Sequence, residues 1–428
     1  MPAHAEAGKN TKNAAESNVN LSTAEPPYLF RGIIRMNIKG FLFSTVEAAI
    51  KKAGRKDLAL IFSEVPATAA AVFTTSSVKA APVLLSRDHI AGGSAQAIIV
   101  NSGNANACTG EQGLKDAQET SQLVARALGL DTTAVQVCST GVIGVQMPME
   151  KVRTAITPLV DGLSSGTLDD VAQAIMTTDT FPKMETHSGQ AGGFSYTVAG
   201  IAKGAGMIMP NMATMLSFII TDAAIEPAFL QQTFRRSVDN SFNAITVDGD
   251  MSTNDTCLIM ANGTAGNPVI KEGSQEGDTF SAILSEILLS LAKQIVKDGE
   301  GATKFVEIRV NGAKDDADAK RAAMAIANSS LVKTAFFGQD ANWGRIFAAV
   351  GYSGTKVDQS LLSLSFDDVC MAKNGIFAGG DAEARGTEIL KRKEFTVSVD
   401  LGLGLGTATV YTSDLTHEYI SINADYRS

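Results

Sequence analysis

The sequence predicts a layered α/β core of mixed strands and helices, sandwich-like in class, with a smaller α/β part towards the C-terminus. Three observations predict it. Short apolar bursts such as Leu58–Phe62 and Ala97–Val100 read as buried strands and alternate with amphipathic segments of helical period. After Gly299 the texture changes to strict alternation, beginning with Phe305–Val310. A chain of 428 residues also exceeds one ordinary domain, so a boundary is placed near residue 300.

Taken in order, residues 1–30 hold Glu6, Glu16 and Glu25 against Lys9 and Lys12, lack an apolar stretch and precede the first arginine, Arg31. They read as a disordered polar tail rather than a secretory signal or transit peptide. A core is expected over 31–300. The apolar tract Met207–Ile220 is interrupted by Pro210, Asn211, Thr214 and Ser217 and is too short to cross a bilayer; its end, Ser217–Thr221, reads as a buried strand. A helix starts near Glu226-Pro227 and carries Phe229, Leu230, Phe234 and Val238 on one side.

The clearest helix spans Thr279–Lys297, where Phe280, Ile283, Leu284, Ile287, Leu288, Leu291 and Ile295 recur at three- and four-residue spacing. Asp278 is placed as its cap and Asp298-Gly299 as its end. A C-terminal domain is expected over 301–428. In it, Phe305–Val310 is expected to stop at the turn pair Asn311-Gly312. The alternating runs Phe395–Asp400 and Gly406–Tyr411 are joined through Leu401–Leu405, whose glycines open no helix and so make no phosphate loop.

Composition narrows the function. Thirty-six basic against 45 acidic residues give a net charge of −9, which provides no field to gather nucleic acid or an anionic membrane. The expected partners are small molecules or a second copy, and the expected location is the cytoplasm. Cys108, Cys138, Cys257 and Cys370 are far apart and read as reduced, mostly buried thiols without a disulfide framework or metal set. There is no Walker loop, no zinc-protease motif and no nucleophile elbow, and the four histidines stand alone in sequence. Asp248–Asp255 imitates a calcium loop, but Thr253 occupies the place of the sharp-turn glycine, so it reads as a hydrogen-bonded turn. No metal and no cofactor are expected.

One segment stands apart. Lys203-Gly204-Ala205-Gly206-Met207-Ile208-Met209-Pro210-Asn211-Met212-Ala213-Thr214-Met215-Leu216 sets a lone lysine and a hydroxyl inside apolar chain. By residue type alone, Thr214 reads first as a β-branched strand residue with a satisfied hydroxyl, the usual fate of threonine in a strand. The segment resembles the self-cleavage signature of the ornithine acetyltransferase family, glutamate N-acetyltransferases of arginine biosynthesis. Asn101–Gly110, Ser139–Gly144, Met176–Thr180, Thr246–Asp250, Gly338–Arg345 and Asn423–Arg427 resemble further blocks of that family in the same order, from about Gly32 to the end of the chain.

The resemblance implies a chain cut between Ala213 and Thr214, with the freed Thr214 serving as nucleophile and, through its α-amine, as base. It implies an oxyanion hole at Thr140 and Gly141 and a substrate pocket of Thr177, Lys203, Thr214, Glu300, Asn423 and Ser428. Relatives often end in threonine where this chain has Ser428, which keeps the hydroxyl and loses a methyl group. The implied substrates are N2-acetylornithine and glutamate, and the implied assembly is two α and two β chains from two cut protomers. Some relatives also take acetyl-CoA as donor, a choice these residues leave open. The alternatives are a related self-cleaving aminopeptidase or amidohydrolase with water as acceptor, and an uncut, silent binding protein.

Overall fold

A computed structural model of the chain describes residues 38–209 and 215–424. The polar-tail reading of residues 1–30, the Ala213–Thr214 junction and Ser428 therefore lie outside the described residues. The fold is mixed α/β with two sheets that belong to one compact unit.

The first sheet is built from β1 (Phe41–Val46), β2 (Leu58–Phe73), β3 (Ser94–Asn104), β4 (Val135–Val142), β5 (Lys183–Ala191), β6 (Phe194–Lys203) and β7 (Leu216–Thr221). The pair β8 (Ile245–Thr246) joins the second sheet, and β9 (Thr256–Ala261) completes the first. The strand order is β4-β3-β2-β9-β7-β6-β5, with β1 against the first part of β2.

β2 is the hinge of this layer. Its first part, Leu58–Phe62, pairs with β1 and β3, whereas Thr68–Phe73 pairs with β9. The ladder slips between Phe62 and Ala67, where Pro66 has no amide hydrogen to donate. Beyond that slip the sheet folds over on itself. One apolar cluster collects Ala59, Ile61, Ile98 and Val100 from one half with Ile201, Phe218, Leu258 and Met260 from the other. The two halves therefore pack face to face.

Helices cover both outer faces. Leu58, Leu60, Ile99 and Val137 meet Ala117, Val124, Val152 and Ile156 of the helices Gly110–Leu128 and Met149–Asp161. Val198, Ile219 and Ile259 meet the helices Pro227–Asp239 and Gln275–Lys297. The result is a helix–sheet–sheet–helix sandwich. β7 lies inside it with all six residues buried and runs parallel to β9, which explains its continuous apolar reading. Ser217 meets burial by donating its hydroxyl to the Ile201 carbonyl at 2.9 Å.

The second sheet contains β10 (Phe305–Ala313), β11 (Ser363–Phe366), β12 (Val369–Lys373), β13 (Ile376–Phe377), β14 (Glu394–Asp400) and β15 (Gly406–Ser413). Its order is β13-β12-β11-β14-β10-β15-β8. β14 and β15 are thus not a hairpin: β10 lies between them, parallel to the first and antiparallel to the second. The expected stop at Asn311-Gly312 is also corrected. Gly312 takes a φ of +67° within β10, and the loop after β14 donates amides to the carbonyls of Asn311 and Gly312, so the strand continues through a bulge.

The long helix begins at Gln275 rather than Thr279, because Ser274 caps it by accepting the Gly277 amide at 3.0 Å. Its length and composition would also suit a membrane span, yet Phe280, Leu284, Ile287, Leu288, Leu291 and Ile295 are fully buried in the core. The cysteines are evenly split, which corrects the reading of mostly buried thiols. Cys138 and Cys257 are buried, their thiols pushed up by desolvation, Cys138 to about 12, and Cys108 and Cys370 are exposed.

Leu284→Ala is expected to cost about 2–5 kcal/mol of unfolding free energy, because the cavity would open where the helix meets the sandwich. Urea unfolding followed by circular dichroism measures it, and a change below about 0.5 kcal/mol would contradict this packing.

Candidate active site

Folding β2 over brings the end of β4 against the end of β6, although the two strands lie far apart in the sheet order. The Lys203 ammonium at the end of β6 donates to the Thr140 hydroxyl near the end of β4 at 3.3 Å, with both residues buried. A cleft of about 250 Å³ opens here. Thr140, Gly141, Thr177, Lys203, Glu300 and Asn423 line it together with Thr178, Met207, Ser252 and Asn254. Six of the nine residues named from the sequence thus share one cavity, and the other three, Ala213, Thr214 and Ser428, lie outside the described residues.

The backbone dictates two glycines. Gly141 has a φ of +134°, and a Cβ there would lie 2.3 Å from the Gly103 carbonyl carbon. Only glycine allows the parallel β3–β4 ends to approach this closely beside the cleft. At Gly206 a Cβ would fall 2.2 Å from a Glu300 carboxylate oxygen, so the side chain that Gly206 lacks makes room for that acid. Glu300 in turn accepts from the Asn423 amide at 2.8 Å, tying the C-terminal helix His417–Ala424 to the cleft.

The asparagine-rich block Asn101–Gly110 is scaffold. Asn101 accepts from the Ser139 hydroxyl, Asn104 accepts the Asn106 amide, and Asn106 donates to the Gly113 carbonyl. Asn254 donates to the carbonyls of both Ala105 and Ser139, so it clamps this block to the strand that carries Thr140.

The carboxylates of Asp248–Asp255 hold backbone. Asp248 accepts the amides of Met207 and Ile208, at 2.5 and 2.8 Å, and Asp255 accepts the Met215 amide at 2.8 Å. The two acids thereby anchor the chain on either side of the Pro210–Thr214 segment. Asp255 is fully buried, which pushes its carboxyl well above the usual range.

Electrostatics centre on Lys203. Burial lowers its affinity for a proton, and Asp179, Asp255 and Glu300 work against that. Burial likewise opposes charge on Asp179, but Lys203 and Lys183 outweigh it and hold the carboxyl down at about 2. Asp179, Lys183 and Asp298 form a buried ion group that sequence reading assigned no role. The only hint was an acid and a lysine four residues apart in the Thr177–Lys183 stretch, a pattern that usually marks solvated surface. The cleft can accept an anion at Lys203 and a cation at Glu300.

The sandwich thus carries at its edge a small cleft that sets a buried lysine and a buried glutamate side by side, the form of a site for a small zwitterionic molecule. Residues 42–428 match the ArgJ family. The arginine biosynthesis bifunctional protein ArgJ of Geobacter sulfurreducens is 68% identical over 393 residues, covering 92% of this chain and 100% of that protein. Its counterpart in Syntrophotalea carbinolica is 55% identical, with 92% and 100% covered. The chain belongs to the ArgJ family.

Solved structures are also similar. The ArgJ crystal structure from Bacillus halodurans is 42% identical, covers 49% of this chain and 99% of its own, and superimposes with a TM-score of 0.48. The ornithine acetyltransferase of Mycobacterium tuberculosis, solved with ornithine, is 41% identical, covers 41% of this chain and 93% of its own, with a TM-score of 0.37.

Lys203 is expected to lose its proton below the ordinary lysine value of ~10.4, since burial is the largest influence on it. Anion binding in the cleft should therefore weaken as pH rises through that lowered value, and Lys203→Arg should move the loss to higher pH. Acetate binding followed by calorimetry across pH 7 to 11, where the probe keeps one charge, checks this; identical profiles for the two proteins would contradict it.

Proposed function

We propose that this chain is a self-processing glutamate N-acetyltransferase that carries acetyl from N2-acetyl-L-ornithine to L-glutamate through an ester on Thr214. As an ArgJ-family member it is an acyltransferase of arginine biosynthesis. The observation that carries the finer reading is the presence of Lys203 and Glu300 in one small cleft beside Thr140 and Gly141. An α-carboxylate suits the lysine and a side-chain ammonium suits the glutamate, so the cleft matches both ends of an acylated diamino acid.

In processing, the Thr214 hydroxyl attacks the Ala213 carbonyl carbon, the C–N bond breaks, and water opens the resulting ester. The products hold 213 and 428 − 213 = 215 residues. The freed α-amine has a reference pKa of ~7.7–8.0 and takes the hydroxyl proton near neutral pH. In transfer, the Thr214 oxygen bonds to the acetyl carbon, the amide C–N bond breaks, and the ornithine nitrogen leaves with the proton held by the α-amine. The glutamate amine then attacks the ester and restores the hydroxyl.

Each attack makes an oxyanion, which the Thr140 hydroxyl and the Gly141 amide stabilise; losing one such donor costs about 2.7–4 kcal/mol of barrier. Thr177, Asn423 and Ser428 add neutral hydrogen bonds to substrate. One residue supplies both base and nucleophile, so the reaction as proposed uses no cofactor. The working unit is two cut protomers, four chains in all, located in the cytoplasm.

Thr214→Ala is expected to abolish both cutting and transfer, while Thr214→Ser keeps part of each because the hydroxyl and the α-amine remain. Intact mass, N-terminal sequencing and acetyl transfer on the same sample test this. A wild-type chain that stays uncut yet transfers acetyl would overturn the mechanism, and cut chains that only release acetate would make the enzyme a hydrolase. The same assay with acetyl-CoA in place of N2-acetylornithine decides whether a thioester also acylates Thr214.

A further inference from the structure

Lys183 lies outside the cleft lining, yet three of the cleft's segments meet at its ammonium. Its side chain is completely buried, at 2.7 Å from Asp179 and 2.5 Å from Asp298, whose side chains are 0% and 2% exposed. Each carboxylate also binds backbone. Asp179 accepts the amide of Thr177 at 3.0 Å with one oxygen and that of Gly204, the residue after Lys203, at 2.6 Å with the other. Asp298 accepts the amide of Thr180 at 3.0 Å, and two residues later the Glu300 amide donates to the Ala205 carbonyl at 2.9 Å.

We infer that Lys183 is a positioning residue of this site: through Asp179 and Asp298 it fixes Thr177, Lys203 and Glu300 relative to one another. The inference rests on the transferase reading above. Stability alone is a weak reason to bury these three charges, because a well-packed apolar group of similar volume is often as stable. Geometry supplies the reason. The loop of Thr177, the end of β6 and the end of the helix Gln275–Lys297 come from separate parts of the chain; Asp179 binds the first two, and Lys183 joins that carboxylate to Asp298 at the third.

The same group acts on the charge of Lys203. The charged groups facing that ammonium are Asp179, Lys183, Asp255 and Glu300, of which only Lys183 is cationic. Removing Lys183 should therefore strengthen the hold of Lys203 on its proton, and neutralising Asp179 should weaken it.

The test compares wild type, Lys183→Met/Asp298→Asn, which removes one positive and one negative charge together, and Asp179→Asn. Melting curves establish that each is folded. Expected for both variants is a KM for N2-acetylornithine raised on the order of tenfold or more, as for a misplaced binding group, with kcat changed far less. The alkaline limb of the pH profile should move in opposite directions, up in the double variant and down in Asp179→Asn, by about one pH unit. A purely structural role would lower the melting temperature without opposed shifts.

A folded double variant with wild-type KM and an unmoved alkaline limb would overturn the inference. Ornithine affinity, measured by calorimetry on the same samples, separates the two readings. If wild type binds ornithine but transfers no acetyl, the transferase reading fails. Loss of that affinity in the variants would still support Lys183 as the hub, and unchanged affinity would overturn it.

Discussion

The slip in β2 is the constraint from which the rest of the catalytic unit follows. A sixteen-residue strand cannot stay in one flat ladder when its two ends recruit different partners, and Pro66 removes an amide at the point of change. The apolar side chains on the inner faces then have one efficient way to leave water, which is to meet each other across the bend. Two-sided burial of β7 and β9 follows, and so do the helices on each outer face.

The bend also explains why chemistry collects where it does. Strand ends leave backbone amides that the ladder no longer satisfies, and at this sandwich edge carboxylates meet several of them. Asp248, Asp255 and Asp179 each accept such amides, and each is buried enough to feel its neighbours strongly. Its acids hold backbone on both sides of the Pro210–Thr214 segment. The lysines of the site, Lys203 and Lys183, then balance that concentration of negative charge in a low-dielectric setting.

The second sheet contributes through connection. Glu300 sits between the long helix and β10, and the C-terminal helix returns after β15 to place Asn423 on the Glu300 carboxylate. β8 extends that sheet from between β7 and β9 of the first sheet, so the turn holding Asp248 is framed by both sheets. The cleft is thus completed by Asn423, a residue more than two hundred positions from the strands β4 and β6 that meet there.

Sequence by itself determined the periodic parts and the chemistry-bearing blocks. The runs in β3, β7 and the long helix are legible because burial on one or both faces writes its period directly into residue type. Gly141 and Lys203 were singled out by the family resemblance of their blocks, since by residue type a strand-end glycine and a lysine have commoner structural uses. Only the tertiary structure decided which ends meet, because strand order depends on non-local pairing that no local pattern encodes. That is why β14 and β15, consecutive in sequence, are separated in the sheet by β10, and why Asn311-Gly312 read as a turn and is a bulge. The Asp179–Lys183–Asp298 group was hidden for the same reason: a charge pair has the same letters on a surface as in a core, and only burial changes its meaning.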